Sequence, residues 1–238
     1  MSHRVTIVSL GPGDPELITL KGLNKLREAD YIFCPATVRS DGTMLSRAQE
    51  ILDELGVSSS GICLFPVAMN ENRRYATDDY ADVARMIAEK YGAGYKVVLT
   101  AEGDAGFYSS SAYVSDILTA QGIFVERIAG VPAFIACAAS ENIRISEQNE
   151  ETTVITHLAS AEELIARIGE GRTLVLMKAS RFESFVKEAL KLVSDNVTFH
   201  YFENAGIVAK QFYTCRREEI LARRFPYFSL LLIRRAGN

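Results

Sequence analysis

The apolar run from Val5 to Leu10 stops at Gly11-Pro12-Gly13, and Asp14-Pro15-Glu16 follows at once. A short, nearly unbroken apolar run ending in a glycine turn predicts a strand buried on both faces. Asp14 is placed to cap a helix, with Pro15 at its first position. The expected order is therefore strand, glycine loop, helix. In open α/β sheets such a loop lies at the carboxyl end of a strand, where ligands bind. Glycine lets the main chain approach something that a side chain would exclude. Nucleotide phosphate is a poor candidate for that something. The dinucleotide fingerprint needs a third glycine where this chain has Glu16, and no Gly-Lys-Ser/Thr is present. Glu16 in a first helical turn suits the helix dipole and would repel a pyrophosphate.

The same alternation continues along the chain and predicts an α/β protein. Strands are expected at 4–10, 30–33, 62–65, 95–100 and 123–127, with helices at 15–28, 44–55, 76–91 and 108–120 between them. Helical crossovers between short apolar strands imply a mostly parallel sheet. The polar stretch 39–43 reads as a loop. The second half differs. Strands are expected at 152–157, 172–177, 197–202, 207–214 and 227–234, with helices at 131–140, 160–168 and 182–193. Ser160 and Glu163 have capping-box spacing. Phe199–Phe202 and Val208–Tyr213 are close enough to pair around Asn204-Ala205-Gly206. The second sheet is therefore expected to be mixed. We expect an N-terminal domain over 1–127 and a C-terminal domain over 128–238, a division of 238 residues that leaves each enough chain for a core.

Composition narrows the partners. A formal charge of −4 gives no basic excess for nucleic acid, and no apolar run is long enough for a membrane helix. Cys34, Cys63, Cys137 and Cys215 are widely spaced, which predicts reduced thiols, and with no visible signal peptide a cytoplasmic location. His3, His157 and His200 are too scattered for a metal site, so none is expected.

Small-residue loops follow several expected strands. They are Gly11-Pro12-Gly13, the segment 101–109 (AEGDAGFYS), the segment 129–133 (AGVPA), Met177-Lys178 and Asn204-Ala205-Gly206. One such loop is most simply a turn; several at matching strand ends predict a shared ligand site.

The ungapped stretch from Val8 through Gly11-Pro12-Gly13 and Leu17-Ile18-Thr19-Leu20 to Lys21-Gly22 resembles the N-terminal signature of the tetrapyrrole (corrin and porphyrin) methylases. The resemblance extends along the chain. It implies a two-domain α/β fold with a mostly parallel N-terminal sheet, a mixed C-terminal sheet, and S-adenosylmethionine in the cleft between them. It also implies a homodimer. The cofactor-binding residues it implies are Pro12, Gly103, Asp104, Phe107, Pro132, Ala133, Met177, Ala205 and Ser229. Ala105 and Ala129 stand where the family usually has proline, which predicts softer loops. Within the family, Ser40–Ile51, Leu64-Phe65-Pro66, Phe107–Ser110, Met177-Lys178 and Tyr227-Phe228-Ser229 are similar to the precorrin-2 and cobalt-factor II C-20 methyltransferases. Gly103-Asp104-Ala105-Gly106 is also similar to the C-17 and C-5 methylases. A C-11 methylase, a diphthine-synthase-like protein methylase and a non-catalytic cofactor-binding module are the other readings.

Methyl transfer from a sulfonium to an electron-rich ring carbon needs little acid–base help. Alignment carries most of the expected rate gain, up to about 7–11 kcal/mol. Tyr108 and Glu102 are the polar candidates for taking the ring proton. The tetrapyrrole substrate carries many carboxylates, for which Arg39, Arg144, Lys178 and Arg181 are the candidate partners.

Overall fold

The computed structural model describes residues 3–39, 41–57, 61–67, 73–207 and 209–235, of which 73–78 by their backbone alone. Ser40 and Val208 therefore lie outside the described residues. The chain divides into two compact units, Met1–Pro132 and Ala133–Asn238.

The first unit is built on a six-stranded sheet. Its strands are β1 (Val5–Ser9), β2 (Tyr31–Val38), β3 (Met44–Leu45), β4 (Ile62–Pro66), β5 (Val97–Ala101) and β6 (Val125–Ile128). β1 lies between β5 and β6, and β2 pairs with β5 and β4; all four pairings are parallel. Only β3 runs antiparallel, against the end of β2. Four helices accompany these strands: α1 (Leu20–Arg27), α2 (Arg47–Glu54), α3 (Arg73–Gly92) and α4 (Ser111–Ala120). The period-two alternation of the strands divides the core. Val5 and Ile7 of β1 face α3 and α4, with Val83, Ile87, Val114 and Leu118. Val8 and Leu10 face α1 and α2, with Leu26, Ile51 and Leu52. Helices on both faces are what a parallel sheet requires.

The second unit has a five-stranded mixed sheet ordered β10-β9-β11-β8-β7. These strands are β7 (Thr152–Ile155), β8 (Thr173–Met177), β9 (Val197–Glu203), β10 (Phe212–Thr214) and β11 (Ser229–Arg235). Only β7 and β8 are parallel; β11 is antiparallel to β8 and β9, and β10 to β9. The helices are α5 (Ala133–Ser140), α6 (Ala161–Gly169), α7 (Glu183–Leu192) and α8 (Arg217–Ala222). One face packs Leu174, Phe199, Leu231 and Ile233 on Leu164, Val186, Leu190 and Ile220. The other packs Val175, Phe202, Leu230 and Leu232 on Cys137 and Ala138 of α5.

The fold class agrees with the sequence reading; several boundaries do not. The helix expected over 15–28 is two pieces. Asp14 caps a 3-10 turn, Pro15–Leu17, and Ile18 and Thr19 are extended before α1. Thr19 Oγ1 accepts from Gly22 N at 3.1 Å and so caps α1 itself. The helix expected from 44 begins at 47, because Met44 and Leu45 pair with β2 and Ser46 caps α2. The helix expected from 108 begins at 111, after Tyr108 takes φ 52°. The hairpin partner of β9 is only Phe212–Thr214, since main-chain bonds from Ile207, Lys210 and Gln211 fold the intervening segment into turns. α8 was not expected.

Candidate functional site

In the first unit the sheet order β5-β1-β6 sets three loops side by side at the strands' carboxyl ends. The backbone joins the first two directly. Gly11 N donates to Gly103 O at 3.1 Å and Gly103 N donates to Gly11 O at 2.7 Å, an antiparallel bridge just beyond the parallel sheet. Both glycines have left-handed φ, +80° and +68°, which a side chain rarely adopts. A Cβ on Gly103 would meet open space, so its φ rather than crowding calls for glycine.

Asp104 joins the second loop to the third. Its Oδ1 accepts from Gly106 N at 2.8 Å and its Oδ2 from Gly130 N at 2.7 Å. Gly130 is required by space: a Cβ there would lie 2.4 Å from Ser9 Cβ and 2.9 Å from Gly103 O. Glu102, accessible to water yet crowded by protein, has its carboxyl pushed up by desolvation, against the pull of Arg47. Tyr108 is exposed on left-handed backbone. Phe107 closes a turn, its N donating to Asp104 O at 3.1 Å. Pro12 is half-buried between Gly11 and Gly13, and Pro132 is half-buried at the end of the unit.

In the second unit, Ala133 opens α5, Met177 ends β8 and Ala205 follows β9; all three pack against one apolar cluster around Phe202 and Leu230. Ser229 is buried opposite Glu203 in the β11–β9 register. Its Oγ donates to Pro226 O at 2.7 Å and accepts from Ser180 N at 3.2 Å. Lys178 has φ 52° and Asn204 φ 49°. Among the described residues, three of the four non-glycine residues with positive φ, Tyr108, Lys178 and Asn204, therefore lie in the nominated loops. Each costs roughly 1–3 kcal/mol, and such strain concentrates at ligand sites. Burial, then Arg181, pushes the Lys178 ammonium down from its ordinary range.

The carboxylate-binding candidates are divided between the two units. Arg39 is exposed in the turn after β2, in the first unit. Arg144, in the second, is exposed and paired with Glu147 at 3.0 Å. Arg181 lies over the Phe182 ring at 5.8 Å, one turn from Lys178.

Two side chains that build the first cluster escaped the sequence reading. Arg47 of α2 donates from Nη2 to Gly13 O at 2.5 Å while Glu50 and Glu54 balance its charge. Ser9, fully buried, bonds the end of β6 and the loop after β5. Its signal was a hydroxyl within an apolar strand, which must find partners.

The chemistry fits a cationic cofactor. The loops 11–13, 101–109 and 129–133 carry two carboxylates, Glu102 and Asp104, and no lysine or arginine. Such a lining suits a sulfonium and not a polyphosphate.

Comparison with known proteins agrees. Residues 4–221 match the Tetrapyrrole (Corrin/Porphyrin) Methylases, and the chain belongs to that family. Membership brings with it S-adenosylmethionine as the cofactor. The cobalamin biosynthesis protein CobIJ of Mycobacterium tuberculosis is 29% identical over 98% of this chain and 46% of its own length. The chain thus spans about half of that relative. The cobalt-precorrin-2 C(20)-methyltransferase of Salmonella typhimurium is 25% identical over 98% of this chain and 97% of its own. A cobalt-precorrin-4 C(11)-methyltransferase of Methanocaldococcus jannaschii is 29% identical over 65% of this chain and 52% of its own. Among solved structures, uroporphyrin-III C-methyl transferase of Thermus thermophilus, complexed with S-adenyl homocysteine, has a TM-score of 0.66 at 20% identity. It covers 97% of this chain and 92% of that one.

Proposed function

We propose that this chain is an S-adenosylmethionine-dependent methyltransferase of cobalamin biosynthesis that methylates C-20 of precorrin-2 or of cobalt-factor II. The observation that carries the reading is the doubly cross-linked floor of glycine loops, Gly11 to Gly103 and Asp104 to Gly130. Support for the ring position is the match to a C(20) methyltransferase along nearly the whole of both chains, where the C(11) relative matches only part of each.

When bound, the cofactor supplies an electrophilic methyl on a good, neutral leaving group. The chain's own residues supply placement. The amides fixed by Asp104 and the carbonyls of the glycine loops set where a ligand can lie, and the loop carboxylates favour positive charge there. Pro12, Gly103, Asp104, Phe107 and Pro132 serve from the first unit; Ala133, Met177, Ala205 and Ser229 serve from the second. Glu102, with its raised proton affinity, takes up the ring proton, with Tyr108 beside it in the same loop. Arg39, Arg144, Lys178 and Arg181 grip substrate carboxylates. The enzyme acts in the cytoplasm as a homodimer, a second copy covering the apolar side chains that Val38, Met44 and Leu45 expose on the β2–β3 hairpin.

The test mixes protein and S-adenosylmethionine with precorrin-2 or with cobalt-factor II, the cobalt form of sirohydrochlorin. A singly methylated, red-shifted product supports the reading. Cofactor binding without turnover on either substrate contradicts it and favours a non-catalytic module. Light scattering checks the dimer.

A further inference from the structure

Between Glu102 and Ser110 only Ala105 is buried. The rest of this loop is held by hydrogen bonds rather than by a core, and it carries left-handed backbone at Gly103 and Tyr108. Strained, exposed backbone keeps its shape only where its surroundings over-determine it. The surroundings converge on one side chain. Ser9 is fully buried in β1, and its Oγ donates to Ile128 O at 2.6 Å and accepts from Ala105 N at 2.8 Å. One hydroxyl thus ties the end of β6 and the anchor of the β5–α4 loop to β1. The same side chain is the surface on which Gly130 rests, since a Cβ at 130 would fall 2.4 Å from Ser9 Cβ. Asp104, next to the anchored Ala105, then reaches Gly130 N.

We infer that Ser9 is a positioning residue for the cofactor: its hydroxyl latches the 102–110 loop onto β1 and so sets the Asp104–Gly130 cross-link. The inference rests on the reading that these loops hold S-adenosylmethionine. It makes no contact between Ser9 and the ligand, because Ser9 is fully buried and its one O–H already donates to Ile128 O.

The latch can be cut from either side. Ser9→Ala removes the acceptor. Ala105→Pro removes the donor, at the second position of the turn Asp104–Phe107, where proline's fixed φ is ordinarily welcome. The experiment is a double-mutant cycle on the full chain, reading S-adenosylhomocysteine affinity by calorimetry and amide exchange at Gly130 in the ligand-free protein. Ser9→Ala is expected to weaken affinity about three- to tenfold, the scale of one buried hydrogen bond, and to speed exchange at Gly130. The double variant is expected to bind no worse than Ser9→Ala, because both changes cut one bond. Additive losses, or a Ser9→Ala protein with lower melting temperature but unchanged affinity and exchange, would overturn the latch. If Ser9→Ala does not fold, Ala105→Pro is read by Gly130 exchange, because proline also firms the loop and so acts on affinity by a second route: unchanged exchange overturns the latch, and faster exchange supports it. A wild-type chain that binds no S-adenosylhomocysteine overturns the functional reading as well, whereas additive losses on a binding-competent chain overturn only the latch.

Discussion

Asp104 spends both carboxylate oxygens on main-chain amides, at 2.8 and 2.7 Å, on a half-exposed loop. Its removal frees two donors that water can reach, so the fold loses little while the ligand floor loses its cross-link. Asp104→Ala is expected to weaken S-adenosylmethionine binding at least tenfold with a small shift in melting temperature; unchanged affinity by calorimetry removes Asp104 from the site. Gly130 should behave in the opposite way. A methyl pressed to 2.4 Å from Ser9 Cβ must displace β1 or the loop, so Gly130→Ala is expected to cost about 1–3 kcal/mol or more of stability, read by denaturant unfolding. Glu102 gives a pH signature. A carboxyl pushed up by desolvation is freed of its proton later, so kcat should rise with pH through that raised value, and Glu102→Gln should flatten the rise. The glycine loops were legible in the sequence because turns and strand ends are local, and Asp104 was nominated through the family resemblance. Ser9 was not, because its partners lie 119 and 96 residues away, and nothing local distinguishes a latched serine from a tolerated one.

Helices show where local chemistry decides and where it does not. Ser160 caps α6 as its spacing to Glu163 suggests, with Oγ accepting from Glu163 N at 3.3 Å; Glu163 reaches back to Ala159 N rather than to Ser160 itself. The apolar pattern over 15–28 is periodic enough to read as one helix, yet Thr19 turns its hydroxyl to Gly22 N and starts a new one. That competition between side chain and backbone is a general property of threonine and serine. Thr19→Ala and Ser160→Ala are each expected to cost about 0.5–2 kcal/mol in thermal unfolding. α8 escaped notice because it has six residues, no side-chain cap and one fully buried anchor, Ile220. Thr214 Oγ1 donating to Glu219 at 2.6 Å holds it from outside the helix.

For the molecule as a whole, two titratable groups of the second unit, half-buried His200 and buried Glu203, contribute to the response to acid. His200, bonded to Tyr213 Oη at 2.9 Å, has its proton affinity lowered by burial and then by Arg234. Glu203 is raised by burial but lowered further by the Arg223 fork, at 2.7 and 2.8 Å, and by Tyr201, so its net shift is downward. Both folded values lie below the unfolded ones, so the unfolded chain binds more protons and stability falls as pH falls. The His200 share should be lost from about pH 6.5 downward and the Glu203 share below about pH 4.3, visible in denaturant midpoints. Glu203→Gln should shrink the second step, to which other lowered carboxylates such as Glu163 and Glu183 also contribute, and leave the first. The two sheets, their parallel and mixed characters and the glycine-loop ends follow from apolar periodicity, which is why the fold could be read from the chain. The central claim is chemical, and one measurement meets it directly. S-adenosylmethionine carrying a 13C-methyl is turned over with the precorrin-2-type substrate, and the product is examined by 13C NMR. The account predicts one new labelled methyl, bonded to C-20; label at another ring carbon, or none transferred, would contradict it.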